Sequence, residues 1–115
     1  MKYISLNHNS TPVNFKTAVI NGLAPDKGLY FPEKIIDLPK KLIDNIKTID
    51  DHELCYEVIK EYVGNDFSKD ELIQIIEKTI DFKIPLNMVE NHPIYSLELF
   101  HGPTLAFKDI GAKFL

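Results

Sequence analysis

Ser68 is followed three residues later by Glu71, and the pair is bracketed by Phe67 and Leu72. The serine hydroxyl and the glutamate carboxylate can each satisfy an unpaired amide of a helix start, while the two apolar side chains fix the angle at which the chain enters. From there Leu72, Ile73, Ile75, Ile76 and Ile80 gather on one side of a helix. Just upstream, Leu54, Cys55, Val58, Ile59, Tyr62 and Val63 form a similar stripe, capped by Asp50 or Asp51 and stopped by Gly64. Two amphipathic helices in succession anchor the interpretation of everything around them.

Ahead of them the elements are shorter. Lys2–Leu6 alternates, with Tyr3 and Ser5 opposite Ile4 and Leu6, which predicts a strand. Ser10-Thr11-Pro12 breaks it, and Asn14 can cap a helix carrying Phe15, Ala18, Val19 and Leu23, with Gly22 suited to a left-handed end. Pro25-Asp26-Lys27-Gly28 reads as a turn in which Gly28 supplies the positive φ. Leu29-Tyr30-Phe31 follows as an extended segment up to Pro32, and Pro39 begins a short helix with Leu42, Ile43 and Ile46. Beyond Pro85 the pattern changes to two strands, Leu86–Val89 and Ile94–Phe100, around Glu90-Asn91-His92-Pro93. These elements predict an α/β chain with a junction in the 85–93 region, dividing 1–92 from 93–115.

Composition narrows the function classes. At 115 residues, 44% hydrophobic and 26% charged, the chain has the make-up of a small globular domain with a core. A net charge of −4 with lysines interspersed among acids gives no basic footprint for nucleic acid or an anionic membrane. No apolar run reaches the roughly 20 residues of a membrane span, and Met1–His8 becomes polar too soon for a signal peptide, so a cytoplasmic location is expected. The single cysteine, Cys55, lies on an apolar helix face and reads as an inert buried thiol. The four histidines, His8, His52, His92 and His101, lack metal-ligand spacing, so no metal is expected.

Only the run Leu99-Phe-His-Gly-Pro-Thr-Leu-Ala-Phe-Lys-Asp-Ile-Gly-Ala-Lys-Phe-Leu115 gathers residues of chemical interest. Gly102-Pro103 makes a turn, and Thr104 can cap a helix that follows. Lys108 then falls near the first turn, where the helix dipole disfavours an ammonium. Its apolar neighbours Leu105, Ala106 and Phe107 predict partial burial, which disfavours the charge again. A lysine that gives up its proton readily is the kind that forms a Schiff base. Against this stands the ordinary behaviour of such lysines, which is to extend to solvent. Thr104 reads equally as a cap or a ligand, Asp109 equally as a helix-start charge or a functional group, and His101 at a strand end as either. The exposed amides of a helix starting at Thr104 would also offer a place for an anionic phosphate.

The His101-Gly-Pro-Thr…Phe107-Lys-Asp109 string resembles the pyridoxal-phosphate lysine segment of threonine synthases, and Asn21-Gly-Leu-Ala…Gly28-Leu-Tyr-Phe-Pro32 is similar to a stretch near the amino terminus of the same family. The resemblance covers nearly the whole chain, although the middle matches only in pattern. It implies a small amino-terminal α/β domain over 1–92, followed over 93–115 by the start of a tryptophan-synthase-β-like (fold type II) pyridoxal-phosphate domain. It further implies that Lys108 carries pyridoxal 5'-phosphate as a Schiff base, with Thr104, His101 and Asp109 as supporting candidates. The implied reaction converts O-phospho-L-homoserine and water to L-threonine and phosphate. Family members run to several hundred residues, with most of the pocket downstream of the lysine. A chain ending at Leu115 in mid-helix is therefore expected to be an inactive fragment whose open strand edges can self-associate. Another enzyme of the same fold, such as a threonine dehydratase or cysteine synthase, and a noncatalytic binding homologue are the alternatives.

Overall fold

The computed structural model describes residues 1–90 and 93–115. Asn91 and His92, and with them the expected junction between 92 and 93, lie outside the described residues. The chain forms two compact units, Met1–Ile73 and Gln74–Leu115.

In the first unit, β1 (Tyr3–Ser5) pairs antiparallel with β2 (Tyr30–Pro32), with Ile4 opposite Phe31 and Ser5 opposite Tyr30. The alternation read from the sequence holds, with Tyr3 and Ser5 on the buried face. A buried serine needs a partner, and Ser5 Oγ donates to Asp26 Oδ1 at 2.6 Å. The same carboxylate accepts from the Gly28 amide at 3.0 Å and, through Oδ2, from the Asn9 amide at 2.9 Å. One side chain thereby ties β1, the loop after it and the turn before β2.

That turn differs from expectation in its glycine. The positive φ falls on Lys27, at 63°, and not on Gly28. Gly28 is required for space: a β-carbon there would sit 2.1 Å from Ser5 Oγ and 2.9 Å from the Asn7 amide nitrogen.

Helix α1 (Phe15–Asn21) begins as predicted, with Asn14 accepting from the Thr17 amide at 3.1 Å, and ends at Gly22 with φ 67°. Only Ala18 of this helix is buried; Val19 and Leu23 face solvent, contrary to the expected stripe. The first turn of α1 holds no acid of its own. Asp66 supplies one from a single 3₁₀ turn (Gly64–Asp66), accepting from the Lys16 amide and the Asn14 side chain, each at 2.8 Å.

Short helix α2 (Lys40–Asp44) buries Leu42 and leaves Ile43 and Ile46 exposed. Helix α3 (Asp51–Val63) is capped by Asp50, which accepts from the His52 and Glu53 amides, and closes at Gly64 with φ 63°. Val63 is its one fully buried residue, with Leu54, Cys55, Val58, Ile59 and Tyr62 half-buried. An aromatic chain from Tyr3 to Phe15 to Phe67, with ring centroids 5.8 and 6.3 Å apart, joins strand, helix and loop. The Tyr3 hydroxyl donates to the Tyr62 carbonyl at 3.1 Å, while Tyr62 in turn accepts from the Ile36 amide. Burial raises the Cys55 thiol above its ordinary value, and the Asp51 and Asp50 carboxylates add to that, so the thiolate is disfavoured.

Helix α4 (Lys69–Thr79) starts with the predicted capping box. Ser68 N–H and Oγ both donate to Glu71 Oε2, at 2.8 and 2.7 Å, and the Glu71 amide donates back to Ser68 Oγ at 3.3 Å. Its buried side holds Leu72 and Ile76 as expected, and adds Thr79, whose hydroxyl returns to the Ile75 carbonyl at 2.7 Å. The second unit continues with β3 (Leu86–Met88) and β4 (Tyr95–Leu97), an antiparallel pair exposed at every residue. Its last element is α5 (Asp109–Phe114).

Gly28→Ala is expected to lower stability by about 1–3 kcal/mol, the usual cost of forcing a methyl into filled space. Chemical denaturation of the 115-residue chain checks this, and a variant as stable as the parent would contradict the close approach at Ser5.

Candidate active site

Around Lys108 the backbone departs from the predicted helix start. Residues 103–108 form turns, and α5 begins only at Asp109 with Lys108 as its N-cap. Thr104 therefore does not cap it. The reason is a competing partner: Thr104 Oγ1 donates to Asp109 Oδ1, and the Thr104 amide donates to Asp109 Oδ2 at 2.8 Å. The amide and hydroxyl of Thr104 are thus both committed to Asp109, and the helix start on which the expected phosphate site depends lies at Asp109 and not at Thr104.

The turn closes with the Leu105 amide donating to the Gly102 carbonyl and the Asp109 amide donating to the Ala106 carbonyl, at 3.1 Å each. Leu105 takes φ 54°, in the left-handed region that branched and bulky residues avoid. Gly102 packs against the carboxylate so closely that a β-carbon there would lie 2.5 Å from Asp109 Oδ2. Asp109 is 2% exposed, the most buried charged residue of this segment. The Thr104 hydroxyl is the main reason its carboxyl is held below the usual carboxylate range; the amides of Thr104 and Ala106 and the charge of Lys108 add to this, and burial opposes it.

Lys108 is exposed, as are Leu105 and Phe107, each at 76%. The expected partial burial is thus not met in this chain: the apolar neighbours point to solvent because the turn, and not a helix, sets their direction. Among the described residues the Lys108 ammonium makes no hydrogen bond or ion pair, and its amine is open to a carbonyl partner.

His101 follows the end of β4 and is paired: Nε2 lies 2.7 Å from Glu98 Oε2, with the ring 4.8 Å from that of Phe100. Asn87, on the neighbouring strand, is the principal cause that lowers the Glu98 carboxyl, with His101 second. The segment thus brings Thr104, Asp109 and Lys108 onto one turn and gives His101 a separate, strand-end partner. At the far end of α5, Lys113 pairs with Asp81 and lies 5.7 Å from the Phe82 ring centroid. Sequence reasoning missed Gly102 as a member of the group. A glycine seven residues before an aspartate signals close approach only once the turn is known.

The pH dependence of this clamp has a definite sign. Because Asp109 titrates lower in the folded chain, its contribution is complete above the unfolded value of about 3.9 and is lost as pH falls through the folded value. An NMR titration of the Thr104 amide is expected to show a midpoint below about 3.9; a midpoint at or above that would contradict the clamp.

The family model for the threonine synthase N terminus matches residues 2–80. A threonine synthase of Buchnera aphidicola subsp. Schizaphis graminum is 37% identical over all of this chain, and that of Escherichia coli K12 is 32% identical. The chain spans 27% of the length of each of these relatives. The crystal structure of threonine synthase from Escherichia coli superposes with a TM-score of 0.89 at 32% identity, covering 99% of this chain and 26% of that one. A structure of PLP-bound threonine synthase from Brucella melitensis gives the same TM-score at 29% identity, covering 99% of this chain and 25% of that one.

Proposed function

Because the chain belongs to the threonine synthase family through its amino-terminal region, we propose that it serves as the lysine-bearing segment of a cytoplasmic, pyridoxal-phosphate-dependent threonine synthase. The observation that carries the proposal is the family likeness over almost all of the chain together with an unengaged lysine at the start of α5. The whole reaction would convert O-phospho-L-homoserine and water to L-threonine and phosphate. When bound, the cofactor supplies an electron sink for charge developing at the substrate α carbon.

The local residues fit that group at one point. Lys108 would hold the cofactor through its free amine. Once the substrate amine displaces it, Lys108 would move protons at the substrate α and β carbons, as a base positioned within reach of them. His101, held by Glu98 at the end of β4, is a supporting group at the rim. Thr104 contributes through Asp109, to which its amide and hydroxyl both donate. On this reading residues 1–92 would belong to the amino-terminal α/β domain of the enzyme, and 93–115 would lead into the fold type II pyridoxal-phosphate domain. The rest of the pocket would come from the length that the relatives have beyond the 27% this chain spans, and the polypeptide alone is expected to be inactive.

In the complete protein, borohydride reduction followed by peptide mapping is expected to place the cofactor on Lys108. Lys108→Ala is expected to cut phosphate release from O-phospho-L-homoserine by on the order of 10²–10⁴-fold or more. A reduced adduct on another lysine would reject the assignment, as would measurable phosphate release by the 115-residue chain alone reject its inactivity.

A further inference from the structure

We propose that Asp109 is a positioning residue, whose buried carboxylate, clamped on the Thr104 amide and hydroxyl and seated against Gly102, fixes the turn from which Lys108 is presented. The inference rests on Lys108 being the cofactor-bearing lysine, and adds what holds it in place.

Three observations carry it. First, within these 115 residues Leu105 and Phe107, each 76% exposed, do not pack on the turn. Second, no side-chain cap holds it at the start of α5: its N-cap, Lys108, makes no cap hydrogen bond. Third, a left-handed Leu105 would relax to a commoner conformation unless its surroundings over-determine it. The group that does so is the Asp109 carboxylate, which reaches back five residues and takes both donors of Thr104.

An aspartate at the first residue of a helix ordinarily serves the dipole and stays in solvent. Asp109 instead is 2% exposed and turned toward the preceding loop. Gly102 completes the arrangement, because any β-carbon there would occupy the space of the carboxylate. Displacing Asp109 frees the turn, and the Lys108 backbone, one residue away, moves with it. The consequence falls on the geometry of proton transfer and cofactor attachment, and not on recognition of the substrate.

The test uses the complete protein loaded with pyridoxal phosphate. Asp109→Ala is expected to lower kcat by on the order of 10²-fold with KM for O-phospho-L-homoserine little changed, as a displacement of about 1 Å at a reacting group can do. It is also expected to remove hydrogen-exchange protection at the Thr104 amide and to shift the pH titration of the cofactor's visible absorption. Asp109→Asn, which keeps an acceptor for the Thr104 amide, should recover part of each effect. Thr104→Val, close in shape to threonine, deletes the hydroxyl bond and keeps the amide bond to Asp109, so it keeps the test decisive if Asp109→Ala does not fold; it is expected to move the same readouts in the same direction by a smaller amount.

Asp109→Ala or, if that variant is unfolded, Thr104→Val with unchanged kcat, unchanged exchange at Thr104 and an unchanged titration would overturn the proposal while leaving Lys108 as the attachment point. A fall in KM-linked affinity alone, with kcat preserved, would overturn it too. Mapping of the reduced adduct to a different lysine would instead remove the reading on which the proposal rests, and the proposal with it.

Discussion

The carboxylate of Asp26 is the interaction on which the first unit turns. Ser5 is buried on β1, where its Oγ accepts from the Asn7 amide, and without the Asp26 acceptor its hydroxyl proton would lose its partner. The carboxylate also gathers the amides of Asn9 and Gly28, so the two strands are joined through one side chain as well as through their ladder. A two-stranded sheet with three residues a side is marginal by itself. Seating both ends of its connection on one anion removes much of the freedom that would otherwise fray it. Ser5, Asp26 and Gly28 form a single steric unit, since the space denied to a Gly28 side chain is the space the serine hydroxyl fills.

The same device recurs along the chain. Asp50 caps α3, Glu71 closes the box at α4, Asp66 serves the first turn of α1 from fifty residues away, and Asp109 closes the Lys108 turn. In each case a short acid satisfies backbone amides that no regular hydrogen-bond ladder reaches. Charge at these positions also suits the positive end of a helix. The acidic balance of the chain, which leaves no basic footprint for nucleic acid, thus has a structural counterpart in local acceptors.

Sequence alone made the local devices legible where donor and acceptor are close along the chain. Asn14, Asp50 and the Ser68–Glu71 box could be read because caps act over two or three residues. Tyr3 and Ser5 could be placed on one face because a strand has period two. Long-range partners were not legible: nothing in the sequence links Asp66 to Lys16, or Asp26 to Ser5. Gly28 was identified as necessary for the wrong reason, because a crowding glycine and a left-handed glycine look alike before the neighbours are known. The apolar stripes were overextended at Val19, Leu23, Ile43 and Ile46, where periodicity fixes a direction but not what lies opposite.

The Lys108 segment shows the same division at the site itself. Lysine, threonine, histidine and aspartate all stand out in the string, yet their mutual arrangement does not, because Gly102-Pro103-Thr104 is compatible with a helix beginning at once. What decides against that helix is the competition between two acceptor schemes for the Thr104 donors. A helix starting there would need the threonine hydroxyl as an acceptor for its own amides. The observed turn uses hydroxyl and amide together as donors to a carboxylate, and hydrogen bonds to an ionised acceptor are roughly twice as strong as those between neutral groups. The stronger pair of bonds delays the helix by four residues, moving its cap from Thr104 to Lys108, and leaves Lys108 at the boundary between turn and helix with its amine outside both.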